Sequence, residues 1–199
     1  MSEIFEREPE YGNSVGRVNN TGYNGTQWVE VRIDGSTRAT TTIEYEHHEI
    51  HGGSYYTVSL DTNIAATAEL VVLIVTGNTT KELHILTETV AERETHSELL
   101  EGVTASSTGH SLTAYNHNRV STNTSTAAFV TASVTNYGTS LTQWHVGSGK
   151  SGGADRASNE WVLKTSTNYA LYAYNENTSA GWLVIKFRYY EHTPKAQGD

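Results

Sequence analysis

The sequence predicts an all-β fold, a sandwich or a barrel, and three observations carry that prediction. Leu183, Ile185, Phe187 and Tyr189 alternate with Trp182, Val184, Lys186 and Arg188, the two-residue period of a strand with one dry face and one wetter face. Twelve Tyr and four Trp stand against one Met and three Phe in a background rich in Thr, Ser, Asn and Gly, a supply that suits pleated surfaces and turns. Short extended stretches recur between turn signals, and no stretch predicts a helix.

Taken in order, residues 1–26 show charges, then Gly, Asn and Thr, with Phe5, Tyr11 and Tyr23 scattered among them and no period. Alone, such a segment cannot bury enough surface to order itself, so it is expected to be an N-terminal arm that orders against a partner. Alternation begins at Gln27, with Trp28, Glu30 and Arg32 opposed to Val29, Val31 and Ile33, and Asp34-Gly35 closes it as a turn. The β-branched run Thr40–Glu46 leads into the patch EHHEIHGGSYYTVSL. Leu70–Val75 is apolar on both faces, as a fully buried central strand would be, and Gly77–Thr80 ends it. Lys81–Glu101 has helix-favouring composition, but its apolar stripe at helical spacing dies at Glu94 and Ser97. Leu83, Ile85, Thr87 and Thr89 alternate cleanly with His84, Leu86, Glu88 and Val90, so this stretch too is expected to be strand. Ser111–His117, Ala127–Thr135, Thr139–Val146 and Trp161–Leu163 follow as extended pieces. Tyr169, Leu171 and Ala173 then form the penultimate strand, joined to the last through the turn-rich NENTSAG of Asn175–Gly181 as a hairpin. The expected organisation is an arm over 1–26, one sandwich over 27–192 and a short tail over 193–199.

Composition narrows the function. A chain of 199 residues can bury one real core. With no cysteine, disulfide frameworks, thiolate zinc sites and cysteine nucleophiles are excluded. The opening MSEIFEREPE is acidic and lacks an apolar segment, so it is not expected to be a signal peptide, and the run Leu70–Val75 is too short to span a bilayer. A formal charge of −9 argues against a nucleic-acid partner, which needs a basic footprint. Both prolines, Pro9 and Pro194, lie near the ends, so none interrupts a central strand.

No catalytic or metal-binding motif survives inspection. His47-His48-Glu49-Ile50-His51 departs from the zincin pattern, since the second histidine would have to stand at Gly52. On a strand, His47 and His51 would share a face about 13 Å apart, too far for two ligands of one zinc; only a distant partner such as His84, His117 or His145 could complete a site. Gly147-Ser148-Gly149-Lys150-Ser151 ends like a phosphate-binding loop, but Trp144 stands where the first glycine belongs and more loop follows instead of a helix, so a hairpin tip is expected. The glutamates between Glu88 and Glu101 read as a solvated face, and no Gly-x-Ser-x-Gly elbow occurs. Trp28, Trp144 and Trp182 could stack on sugars, or fill a core or an interface. No cofactor and no metal are expected, and the protein is expected not to be an enzyme.

Several blocks in order, EHHEIHGGSYYTVS (46–59), EG-x-T (101–104), YNHNRVSTNTS (115–125), YGTSL (137–141), GSGKSGG (147–153), NEWVLKTSTNYAL (159–171) and YYEH (189–192), together resemble a family of small virion proteins of tailed bacteriophages. The resemblance covers about residues 40–192. It implies a jelly-roll β-sandwich and a capsid decoration or cement role on the capsid exterior. The implied partners are the major capsid protein and further copies of the chain, with a trimer as the expected oligomer and no nucleic acid or membrane. Phe5, Tyr11, Tyr23 and Trp28 are then candidate capsid contacts, and Trp144, Lys150 and Trp182 candidate loop-end or interface residues. The alternative is a tail-associated receptor-binding or carbohydrate-binding module on the same fold.

Overall fold

The computed structural model describes residues 20–23, 28–31, 45–77, 80–147, 150–153 and 160–193. The chain divides into two units, one of Met1–Ile43 with Lys195–Asp199 and one of Glu44–Pro194. In the first, β1 (Asn20–Tyr23) and β2 (Trp28–Val31) pair antiparallel as a two-stranded sheet, with Tyr23 opposite Trp28. The alternating stretch from Gln27 is therefore a strand, but in a hairpin of its own. Phe5 and Tyr11 lie outside the described residues.

The second unit contains α1 (Tyr45–Gly52), β3 (Tyr55–Ile64), β4 (Glu69–Val75), β5 (Glu82–Ala91), β6 (Thr95–Glu101), β7 (Thr104–Leu112), β8 (Tyr115–Asn116) and β9 (Ala128–Asn136). It continues through β10 (Thr139–Val146), β11 (Lys150–Gly153), β12 (Trp161–Leu163), β13 (Asn168–Asn175) and β14 (Gly181–His192). Two six-stranded sheets result. The front sheet runs β11-β5-β14-β3-β8, with β12 also on β5, and the back sheet runs β10-β6-β13-β4-β9-β7.

The pairing is nested. β3 pairs with β14, β4 with β13, β5 with β11 and β12, and β6 with β10, all antiparallel. A long ribbon is thus folded so that alternate pairs fall into opposite sheets, where β14 joins β5 and β13 joins β6. This is the strand order of a jelly roll. The β7–β9 segment, inserted at the ribbon's tip, widens the back sheet beyond β4.

Alternation along the strands decides what lies between the sheets. Leu183, Ile185, Phe187 and Tyr189 of β14 are buried in the main core with Val58, Val72, Ile74, Ile85, Leu99 and Leu171. Phe129 contacts Phe187 and Tyr189 at ring separations of 5.0 and 5.1 Å, and Tyr56 stacks on Tyr189 at 5.4 Å, pairs worth about 0.5–1.5 kcal/mol each beyond their buried area. β4 is buried on both faces, as its unbroken apolar run predicts: Val72 and Ile74 join the main core, while Val71 and Leu73 join a second cluster with Leu100, Val103 and Ala170.

Two local expectations are corrected. Tyr45–Gly52 is a helix, where the sequence predicts none. Its C-terminus closes as a Schellman motif: Gly53 N–H donates to the Ile50 carbonyl and Ser54 N–H to that of Glu49, both at 3.0 Å, with Gly53 at φ +71°. Lys150–Gly153 is likewise a strand rather than a hairpin tip, because its backbone finds the edge of β5, Lys150 opposite Ala91.

Candidate functional site

The densest grouping of chemically active side chains lies on the outer face of the front sheet, where β5 and β14 run side by side. Leu83 and Ile85 of β5 and Ile185, Phe187 and Tyr189 of β14 point into the core, so the alternate residues Glu82 and His84 of β5, and Tyr190 and His192 of β14, are presented outward. The register sets Tyr190 opposite His84 and His192 opposite Glu82. Tyr190 stacks on His84 (ring separation 4.6 Å) and on His192 (5.8 Å), and Tyr55 stacks on Tyr190 at 6.5 Å. His117 meets Tyr55 edge-on at 4.7 Å, which completes a row of five rings across the sheet.

Carboxylates orient this row. Glu160, immediately before β12, places Oε1 2.9 Å from His84 Nδ1 and also accepts from the Tyr190 hydroxyl. His192 Nδ1 lies 2.7 Å from the Thr193 carbonyl, which can only accept, so this nitrogen carries a proton. The two remaining ring nitrogens, His84 Nε2 and His192 Nε2, face each other at 2.8 Å, and Glu82 Oε2 is 3.9 Å from the former. At the far end of the row, burial lowers the pKa of His117, with nearby Glu46 opposing the shift and Arg188 adding to it.

A second histidine grouping lies on the back sheet. His96 and His145 sit opposite each other on β6 and β10, their rings 4.7 Å apart, and Glu176 Oε2 is 3.1 Å from His145 Nδ1. His96 Nε2 is 3.1 Å from Glu98 Oε1 but out of line for a hydrogen bond.

The histidine patch itself is placed differently from the sequence expectation. On a helix His47 and His51 are one turn apart, with Nε2 atoms 2.9 Å from each other; the 13 Å separation held only for a strand. Among the described residues, no third ligand from His84, His117 or His145 joins them.

Two further nodes explain why several sequence blocks belong together. The loop after β8 caps the end of α1: Asn118 Nδ2 donates to the His51 carbonyl, while Asn116 and Asn123 Nδ2 donate to that of Gly53. The same loop is fastened to β14 by Glu191, 2% exposed, whose carboxylate accepts from the backbone N–H of Thr126 and Ala127 and from the hydroxyls of Ser125 and Thr126. A recess of about 240 Å³ opens beside this loop, lined by Tyr56, Asn116, Arg119 and Asn123 among others. At the other node Glu101 accepts from Lys164 Nζ at 2.7 Å and from the Tyr169 hydroxyl at 2.8 Å. Those bonds, that of Lys164 first, lower the Glu101 pKa, while burial and then the carboxylate push Tyr169 up to about 12.

Of the residues singled out from the sequence, Trp182 is 56% exposed on the outer face of the front sheet, beside Glu92, whose Oε2 accepts from its backbone N–H at 3.1 Å. Trp144 does not occupy a loop end. It lies within β10 and packs against the main core, its Nε1 buried without an acceptor among the described residues. A bulge between Ser140 and Thr142 brings Leu141 onto the same core despite the odd spacing. Lys150 begins β11. Glu82 and His84 share a face of β5, but His192 joins them only through the register of β14 on β5, which leaves no local sequence signal.

A scan against protein-family models and searches of curated proteins and of solved structures found no match for this chain.

Proposed function

We propose that this protein is a non-enzymatic virion component of a tailed bacteriophage, a decoration protein that docks on the outside of the head through the major capsid protein and acts as an oligomer, with a trimer as the expected state. The observation that carries the reading is the nested strand pairing of a jelly roll, an architecture that recurs in viral capsid and lectin domains. The resemblance of the sequence blocks supports the same reading, and Phe129, Phe187, Tyr189 and their neighbours pack the interior between the sheets.

A carbohydrate-binding module on the same fold would gather exposed aromatic rings beside acids at one loop end. The two most exposed aromatics among the described residues, Tyr115 and Trp182, pair opposite Thr57 and Asn63 of β3, which sets them roughly 20 Å apart along the strand at ~3.3 Å per residue. Trp182 instead shares its face with Val184 and with Val90, which is 37% exposed, a small apolar surface with a tryptophan anchor of the kind that dominates protein interfaces.

Purified protein is to be titrated onto heads lacking it and, in parallel, onto host surface glycans. Saturable binding to heads is expected, weakened roughly tenfold or more by Trp182→Ala, equivalent to about 1.4 kcal/mol. Binding to glycans or cells with no affinity for heads would overturn the decoration reading in favour of the receptor-binding one.

A further inference from the structure

We propose that Glu82, His84 and His192 form a binding site for a zinc-class divalent transition-metal ion, and that the ion clamps the end of β14 to β5. The inference stands on the convergence of three ligand atoms and on the hydrogen bonds that orient the two rings, and does not depend on the virion reading. His192 Nδ1 can only donate to the Thr193 carbonyl, 2.7 Å away. His84 Nδ1 lies 2.9 Å from Glu160 Oε1 and 3.0 Å from the Tyr190 hydroxyl; the hydroxyl gives its proton to Glu160, and a carboxylate oxygen can only accept, so Nδ1 is the donor. Both rings are therefore held in the tautomer that turns the Nε2 lone pair outward. Those two lone pairs face each other at 2.8 Å, a repulsive arrangement unless a cation lies between them.

The surroundings match a metal site better than a shared proton. Glu82 Oε2 adds a third ligand atom, 3.9 Å from His84 Nε2, and the ligand atoms of all three residues lie within 4.8 Å of one another. Imidazoles bound to zinc characteristically give their other nitrogen to a carboxylate or a backbone carbonyl, and here one ring does each. His84 is largely shielded, with its side chain 16% exposed. Tetrahedral bonds of about 2.0–2.1 Å require ligand atoms about 3.4 Å apart, so the histidine pair, now 2.8 Å apart, must open and Glu82, now 3.9 Å from His84 Nε2, must approach, by side-chain rotation. Two histidines and one carboxylate leave a fourth position for water or for a donor from a docked partner. The grouping at His96, His145 and Glu176 also has its ligand atoms within 4.8 Å of one another, but there the carboxylate of the group itself lies at His145 Nδ1 and, among the described residues, no separate acceptor orients both rings, so it serves as the internal control.

The test uses the untagged full chain. Calorimetric titration with Zn²⁺ is expected to show one equivalent bound, with affinity reduced at least a hundredfold by His84→Gln or His192→Gln, reduced 10–100-fold by Glu160→Gln and unchanged by His145→Gln. The unmodified chain provides a readout independent of whether variants fold: of its nine histidines, the rings of His84 and His192 should show the large NMR shifts on adding Zn²⁺. Absence of stoichiometric binding, shifts confined to His96 and His145, or full affinity in the His84→Gln/His192→Gln double variant would overturn the proposal.

Discussion

At the scale of single residues, the most consequential side chain is a carboxylate facing inward. Glu191 continues the dry face of β14 two residues beyond Tyr189, where an acid would be costly without partners. Its burial is sustained by hydrogen bonds from Ser125, Thr126 and Ala127, and the Tyr189 hydroxyl donates to Ser125 Oγ at 2.7 Å beside it. Glu191→Gln replaces an acceptor with an amide donor pointed at N–H groups. We expect a loss of about 2–4 kcal/mol in equilibrium denaturation, with the denaturant slope unchanged; a loss below about 0.5 kcal/mol would show that the loop is held by something else. The alternation of β14 made an inward acid at this position legible. Its partners, more than sixty residues away in sequence, were not.

At the scale of elements, legibility followed the length and purity of the period. β14, β4 and β5 have seven or more residues whose pattern is set by burial between layers, and each is expected as strand from the sequence; Lys81–Glu101, expected as strand throughout, is two strands, β5 and β6, in opposite sheets. α1 has eight residues, only Tyr45 and Ile50 offering apolar bulk, so helical periodicity had nothing to register. What holds it is not local: the side chains of Asn116 on β8 and of Asn118 and Asn123 in the loop after it donate to the His51 and Gly53 carbonyls at its C-terminal end. β11 is missed for the same reason, being Lys-Ser-Gly-Gly made a strand only by the edge of β5. The helix terminus yields a paired prediction. A Cβ at Gly53 would sit 2.3 Å from Ser121 Oγ in addition to its left-handed backbone, whereas one at Gly102, φ +76°, would meet nothing within 4 Å. Gly102→Ala should therefore cost about 1 kcal/mol from the backbone alone, and Gly53→Ala clearly more, with part restored by adding Ser121→Gly. Equal losses in thermal unfolding of the two single variants would contradict the close packing of loop against helix end.

At the scale of the whole molecule, the nested order of pairs was beyond local reading, because any antiparallel partner satisfies a strand's period equally well. The order places the blocks EHHEIHGG, YNHNRVSTNTS and YYEH around one node and EG-x-T with NEWVLKTSTNYAL around another, so much of what made the sequence distinctive takes part in packing and hydrogen bonding. It also assembles the His84–His192 pair, which neither strand foreshadows. For the function, decoration has a direct physical consequence: a ligand that binds only the assembled head stabilises it by mass action, and many modest sites per particle act together. The deciding measurement is the melting temperature of heads lacking the protein as it is added back. The decoration account predicts a rise that saturates with occupancy and is diminished by Trp182→Ala; full occupancy with no change in head stability would contradict it.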